Sequence, residues 1–91
     1  MQLGQVGQTI TEKLSIALVP HALEVIDESH LHAGHSGARP EGETHFRVKI
    51  QAEAFTGKSL IQRHRMVNEV LAEELNGPVH ALAISASAPE S

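Results

Sequence analysis

The sequence predicts a small α+β domain in which helices cover one face of a three-stranded sheet. Three observations carry this. Phe46, Val48 and Ile50 alternate with His45, Arg47, Lys49 and Gln51, which is the period of a half-buried strand. Apolar residues recur at helical spacing at Ile10, Leu14, Ala17 and Leu18, and again at Leu60, Val67, Leu71 and Leu75. Turn-forming stretches separate the periodic segments, so the expected order is helix, strand, strand, helix, strand.

Taken in order, residues 1–8 hold two glycines and three glutamines and are expected to fray. Thr9 followed by Glu12 fits a capping box, and Pro20 stops the chain from continuing as helix, so the first helix is expected over 9–19. Ala22 to Ser29 reads as a strand, with Leu23 and Val25 alternating with Glu24. His30 to Glu43 carries three glycines and a proline and no period, and reads as a long loop. Thr44 to Ala52 is the second strand and should pair antiparallel with the first across that loop. Glu53 to Lys58 is a turn around Gly57. Ser59 with Gln62 marks a second capping box, opening a helix over 59–75 with Ile61 and Val70 on the shoulders of its apolar face. Asn76-Gly77-Pro78 ends it, with Gly77 in the left-handed role. Val79 to Ser87 is the third strand, and 88–91 a loose tail, so the domain proper spans 9–87.

At 91 residues the chain makes one domain with one modest core. Phe46 and Phe55 are its only aromatic residues, so the core is built from Leu, Ile, Val and Ala, and base-stacking on single-stranded nucleic acid has little material. Absence of cysteine excludes disulfides, a thiol nucleophile and an all-cysteine metal site from this chain, and suits a reducing cytoplasm. The net charge of −4 does not attract a polyanion globally. No apolar run is long enough to span a bilayer, and the first ten residues lack the pattern of a signal peptide. A soluble cytoplasmic protein is expected, with no membrane association.

Histidine is the abundant chemistry, with seven residues. His30, His32 and His35 lie within six positions on the glycine-rich loop, and imidazole suits Zn, Cu, Ni and Fe. His80, fixed behind Pro78 at the mouth of the last strand, is the natural remote donor, with His45 in reserve. A single loop histidine is more often simply solvated; it is the clustering that raises the metal reading. A second cluster is cationic: Arg63, His64 and Arg65 on the second helix, with Lys58 one turn earlier and Arg47 and Lys49 on the strand. This is a weak nucleic-acid candidate, because a solvated helix face explains it and the preceding turn is too short for a helix-turn-helix. Asp27, Glu28 and Glu43 are placed where charges are ordinarily solvated, no Ser/His/Asp order stands out, and no enzyme is expected.

DESHLH (27–32), ETHFRV (43–48), AFTGKSLIQRHRMVNEVLAEEL (54–75) and VHALAI (79–84) together resemble the BolA family, in the right order and over nearly the whole chain. The resemblance implies a class II KH-like fold of order α-β-β-α-α-β, with an extra helical turn around 54–58. There is no G-x-x-G loop, so the RNA clamp of true KH domains is not expected. It further implies a heterodimer with a monothiol glutaredoxin and a shared bridging [2Fe–2S] cluster, none being held by the chain alone, which is then a monomer or weak homodimer. The glutaredoxin brings a cysteine and glutathione. The BolA side brings a C-terminal histidine, matching His80, and a loop ligand that aligns best with His32; His30 and His35 have less support. Two imidazoles would raise the cluster potential relative to thiolates, and protonation would compete with iron at low pH. The family also implies an alternative, transcriptional control through DNA binding by the RHR-bearing helix. The same surface (Lys58, Arg63, His64, Arg65) is open to partner docking, with His64 mainly structural.

Overall fold

The strand with the cleanest alternation lies at the centre of the sheet. This strand, β2 (His45–Gln51), turns Phe46, Val48 and Ile50 into the core, each at most 2% exposed, and leaves Arg47 and Lys49 exposed. A computed structural model, which describes residues 4–29 and 43–89, gives the other elements as α1 (Gln5–Leu18), β1 (Ala22–Asp27), a 3-10 turn (Glu53–Phe55), α2 (Leu60–Val70), α3 (Ala72–Asn76) and β3 (Ala81–Ser87). β1 pairs antiparallel with β2, from Ala22 opposite Gln51 to Asp27 opposite Phe46. β3 pairs parallel on the other side, from Ala81 opposite His45 to Ser87 opposite Gln51. A parallel pair needs a crossover, and the 3-10 turn, α2 and α3 supply it. The expected α-β-β-α-α-β order is met, with the extra helical turn at 53–55 and the helix after it in two segments.

Both long helices pack on the Phe46–Val48–Ile50 side of the sheet. Ile10 and Leu14 from α1, Val67 from α2, Leu71 at the α2–α3 break, and Phe55 from the 3-10 turn are essentially sealed from solvent. Each such side chain contributes about 1.5–3 kcal/mol by burial. The 3-10 turn exists to insert Phe55; Gly57 then turns the chain at φ 77, a conformation glycine adopts without steric cost. Ser59 caps α2 as its sequence foretells: its hydroxyl accepts the Gln62 N–H at 3.1 Å and its own N–H donates to Gln62 Oε1 at 2.8 Å.

Three local expectations are corrected. Helix α1 begins at Gln5, not at residue 9, and the Thr9/Glu12 box does not form; Thr9 Oγ1 instead donates to the Gln5 carbonyl inside the helix. The helix start is satisfied from a distance, because the Glu43 carboxylate accepts the Gly7 N–H at 3.0 Å, where its charge also complements the helix dipole. A Cβ on Gly4 would meet that carboxylate, which would have to shift to admit it. Second, Leu60 is 62% exposed although it continues the apolar stripe. Helix α2 engages the core only from Met66 onward, and its first turn is anchored by polar bonds. Arg63 supplies them, donating from Nε to the Lys58 carbonyl at 3.0 Å and from Nη1 to the Ala86 carbonyl of β3 at 3.2 Å. Third, Gly77 is not left-handed (φ −116); its lack of a Cβ instead permits the Glu73 carbonyl to approach, 3.2 Å from where a Cβ would sit.

Lys13 ties α1 to α3, at 2.7 Å from Glu74 Oε2 and 3.6 Å from Glu73. The hydrogen bond with Glu74 raises the Lys13 pKa above its ordinary value, against the opposing effect of desolvation. At the other end of α1, Val19 closes the helix in the left-handed region, φ 43 and ψ 59, with its side chain exposed. A β-branched residue pays a steric penalty of about 1–2 kcal/mol there. Val19→Gly should therefore raise stability by about 1 kcal/mol, seen as a rise of roughly 4–8 °C in the thermal midpoint. A lowered midpoint would mean that Val19 contributes packing that outweighs its strain.

Candidate metal centre

The parallel register decides which histidines meet. With Ala81 opposite His45, the residue before Ala81 lies beside the start of β2, and that residue is His80. The two imidazole centroids are 5.3 Å apart, with the rings tilted by 53°. His45 is buried, at 6% exposure, whereas His80 is exposed. His30, His32 and His35 lie outside the described residues. The donor brought to His80 within them is thus His45, which sequence reasoning held only in reserve. Among the described residues no group of three or more His, Cys, Asp or Glu gathers as a complete metal site.

Each ring has its own support. Val79 is buried and donates its N–H to the Glu74 carbonyl at 2.9 Å, so the chain enters β3 with Val79 inward and His80 outward. The His80 and Ala81 N–H groups then both donate to the Thr44 carbonyl, at 2.7 and 3.2 Å. The Thr44 hydroxyl lies 2.8 Å from His45 Nδ1. Ser29 Oγ accepts the N–H of Thr44 at 2.8 Å and of His45 at 3.1 Å, and the Ser29 N–H is held by Asp27 Oδ1 at 2.9 Å. Asp27 Oδ2 accepts the Glu43 N–H at 3.3 Å, which helps hold Glu43 at a positive φ of 59. The three carboxylates at this end of the sheet thus do structural work: Asp27 links Ser29 to Glu43, Glu43 caps α1, and Glu28 pairs with Arg47 at 2.9 Å.

The spacing of the rings suits a shared ion. A metal–nitrogen distance of about 2.0–2.1 Å puts each ring centre about 3.2 Å from the metal, and a tetrahedral angle then separates the two centres by about 5.2 Å. The observed 5.3 Å matches that centre-to-centre separation. Neutral imidazole nitrogen is a fitting donor for iron, zinc or copper.

The cationic cluster is elsewhere. Arg63 spends its guanidinium on the Lys58 and Ala86 carbonyls, and Lys58 and Arg65 are exposed. Ala86 is near the far end of β3, about 20 Å along a strand of seven residues from His80. His64 is half-buried on α2, with its Nε2 buried and without a hydrogen-bond partner among the described residues.

Thr44 and Ser29 carried no signal in the sequence beyond flanking a histidine-rich loop, yet they hold the site together. Ser29→Ala would leave the buried Thr44 and His45 N–H groups without their acceptor, at about 1–3 kcal/mol each. Chemical denaturation should show a loss of at least about 1 kcal/mol; a loss below roughly half of that would show that the two donors find other partners.

A family profile described as BolA-like protein matches residues 14–91. BolA-like protein 1 of Mus musculus is 51% identical over 86 residues, covering 94% of this chain and 60% of the mouse protein. SufE-like protein 1, chloroplastic/mitochondrial, of Arabidopsis thaliana is 47% identical over 91 residues, covering 96% of this chain and 24% of that protein. The chain thus spans less than two thirds of both relatives. Among solved structures, the BolA domain of SufE1 from Arabidopsis thaliana superposes with a TM-score of 0.88 at 48% identity, covering 97% of this chain and 96% of that one. BolA1 from Arabidopsis thaliana gives 0.83 at 39% identity, covering 98% and 99%. Among the described residues no helix is long and apolar enough to cross a membrane. Matched in sequence along most of its length and in fold over nearly all of it, the chain belongs to the BolA family.

Proposed function

We propose that this chain donates two histidines to a [2Fe–2S] cluster shared with a monothiol glutaredoxin, and that it serves iron–sulfur trafficking or iron regulation, not catalysis. The observation that carries the reading is the His45–His80 pair, 5.3 Å between ring centres. A BolA domain within a protein named SufE-like fits an iron–sulfur related role. The donor set fits a cluster bound from one side only. His80 is exposed and reachable by a partner, and His45 is fixed from beneath by Thr44. A chain without cysteine needs the partner to supply thiolate, here the glutaredoxin cysteine and its glutathione. The cluster bound there would have one iron with two neutral donors, which raises its potential relative to an all-thiolate centre. The chain's own contribution is to hold both rings at ligating distance and, when they are protonated at low pH, to let go. A reducing cytoplasm is the compartment proposed.

The family alternative, DNA binding through the RHR segment, draws less support from the geometry. Arg63 is engaged by two backbone carbonyls, which leaves Lys58 and Arg65 as exposed cations on a chain of net charge −4. That turn also lies at the opposite end of β3 from His80, so a partner sharing a cluster at His80 need not touch it.

The test is co-purification with a monothiol glutaredoxin and glutathione, followed by visible absorption and circular dichroism. His80→Ala and His45→Ala should each abolish or reshape the cluster bands, while His32→Ala leaves them as in the parent complex. Bands lost in His32→Ala and kept in His45→Ala would transfer the ligand role to the loop. Bands unchanged in His80→Ala would defeat the reading altogether.

A further inference from the structure

β3 is an edge strand, and its outer edge carries free backbone groups. In a strand, alternate residues direct their N–H and C=O groups to one neighbour and the rest direct theirs to the other side. Ala81 donates its N–H to the Thr44 carbonyl at 3.2 Å, and the Ser87 carbonyl accepts the Ala52 N–H at 3.0 Å, so residues 81, 83, 85 and 87 face β2. Leu82, Ile84 and Ala86 therefore aim their backbone groups away from β2, in the plane of the sheet. Arg63 bears this out, reaching the Ala86 carbonyl from α2. Among the described residues that is the one hydrogen bond made to this edge, so Leu82 and Ile84 keep both backbone groups unpaired. Folded proteins ordinarily blunt such an edge with charge, proline or a bulge. β1, the other edge, carries an exposed Glu24. Residues 81–88 hold no charge and no proline, and the register of β3 with β2 runs without a bulge.

We infer that β3 pairs with β3 of a second copy of this chain, antiparallel about a two-fold axis at Ala83. Self-complementarity selects this occupant. An axis at Ala83 sets Leu82 opposite Ile84 of the other copy on both sides of the axis, and each such pair exchanges both of its hydrogen bonds. An axis at Ile84 would instead call on the Ala86 carbonyl, which Arg63 already holds. The side chains agree with the first register. In an antiparallel ladder the pairs that do not exchange hydrogen bonds approach most closely, about 4.5 Å between Cα atoms. Here those pairs are Ala83 with its own copy and Ala81 with Ser85, all small and on the sheet face opposite Phe46, Val48 and Ile50. On the helix-covered face, Leu82 and Ile84, both half-buried, meet across the seam and join the two cores. The seam is short, so the dimer is weak, with a Kd of about 0.1–1 mM. The pairing is independent of the histidine site.

Solvent exchange of single amides reads this pairing directly, because the register fixes which N–H groups it covers. Between about 10 μM and about 1 mM of the whole chain, exchange at Leu82 and Ile84 should slow about 2–5-fold as the dimer fills. Ala83 and Ser85, bonded to β2, should show no such dependence. Sedimentation over the same range should give a monomer–dimer equilibrium. Ala83→Lys and Ala83→Glu, on the helix-free face, should each stay monomeric through like charge at the axis, and their equimolar mixture should regain the pair. A parent that stays monomeric at the higher concentration, or a dimer in which Leu82 and Ile84 exchange independently of concentration, overturns the inference. So does a lysine variant that associates as the parent does, or a mixture that stays monomeric. Slowing of those amides by added glutaredoxin, but never by concentration, would assign the edge to that partner and reject self-pairing. The parent amides decide even if a variant does not fold.

Discussion

Parallel pairing of β2 with β3 is the constraint on which the candidate centre depends. It brings the starts of two strands, far apart in the chain, to the same end of the sheet, and the register with Ala81 opposite His45 makes His80 the neighbour of His45. The crossover is what permits it. Phe55 buries the 3-10 turn, Val67 and Leu71 seat the helical segments, and the Val79 N–H bond to Glu74 returns the chain at the right height. Glu74 also receives Lys13 from α1, so the helix that feeds β1 and the one that feeds β3 are fastened to each other.

The site is then built on hydrogen bonds at the sheet's end. Asp27 and Ser29 at the close of β1 hold Glu43, Thr44 and His45 at the start of β2, and Thr44 holds the start of β3. Buried backbone donors are costly to leave unpaired, so this end of the sheet resists distortion. The opposite end has a different character. There Arg63 straps α2 to Ala86, and Leu60, Ile61, Lys58 and Arg65 are exposed. One end presents imidazoles on a rigid base; the other presents a mixed apolar and cationic turn.

Much of the fold was legible because it is encoded locally. The alternation through Phe46, Val48 and Ile50 marks β2, and Ser59 with Gln62 marks the start of α2, since a capping box needs only residues three apart. The same local rule misled at Thr9 and Glu12, because the group that satisfies the start of α1 is Glu43, thirty-six positions from Gly7. Leu60 continues a helical stripe, but a stripe does not tell where the core beneath it ends. His80 was legible from its place behind Pro78. The nearness of His45 to His80 was not legible, because it is set by strand register across a crossover, which no neighbouring residue encodes. Thr44, a small polar residue at a strand end, has no sequence signature at all; its importance comes from meeting the His45 ring and the His80 backbone N–H.

The most direct test of the central claim, that His45 and His80 ligate one iron together, is pulsed electron–nuclear resonance on the reduced cluster in the glutaredoxin complex, with this chain alone carrying nitrogen-15 histidine. Two strongly coupled nitrogens from this chain are predicted, falling to one in His45→Ala. A single coupled nitrogen in the parent complex, or two that persist in His45→Ala, would contradict the account.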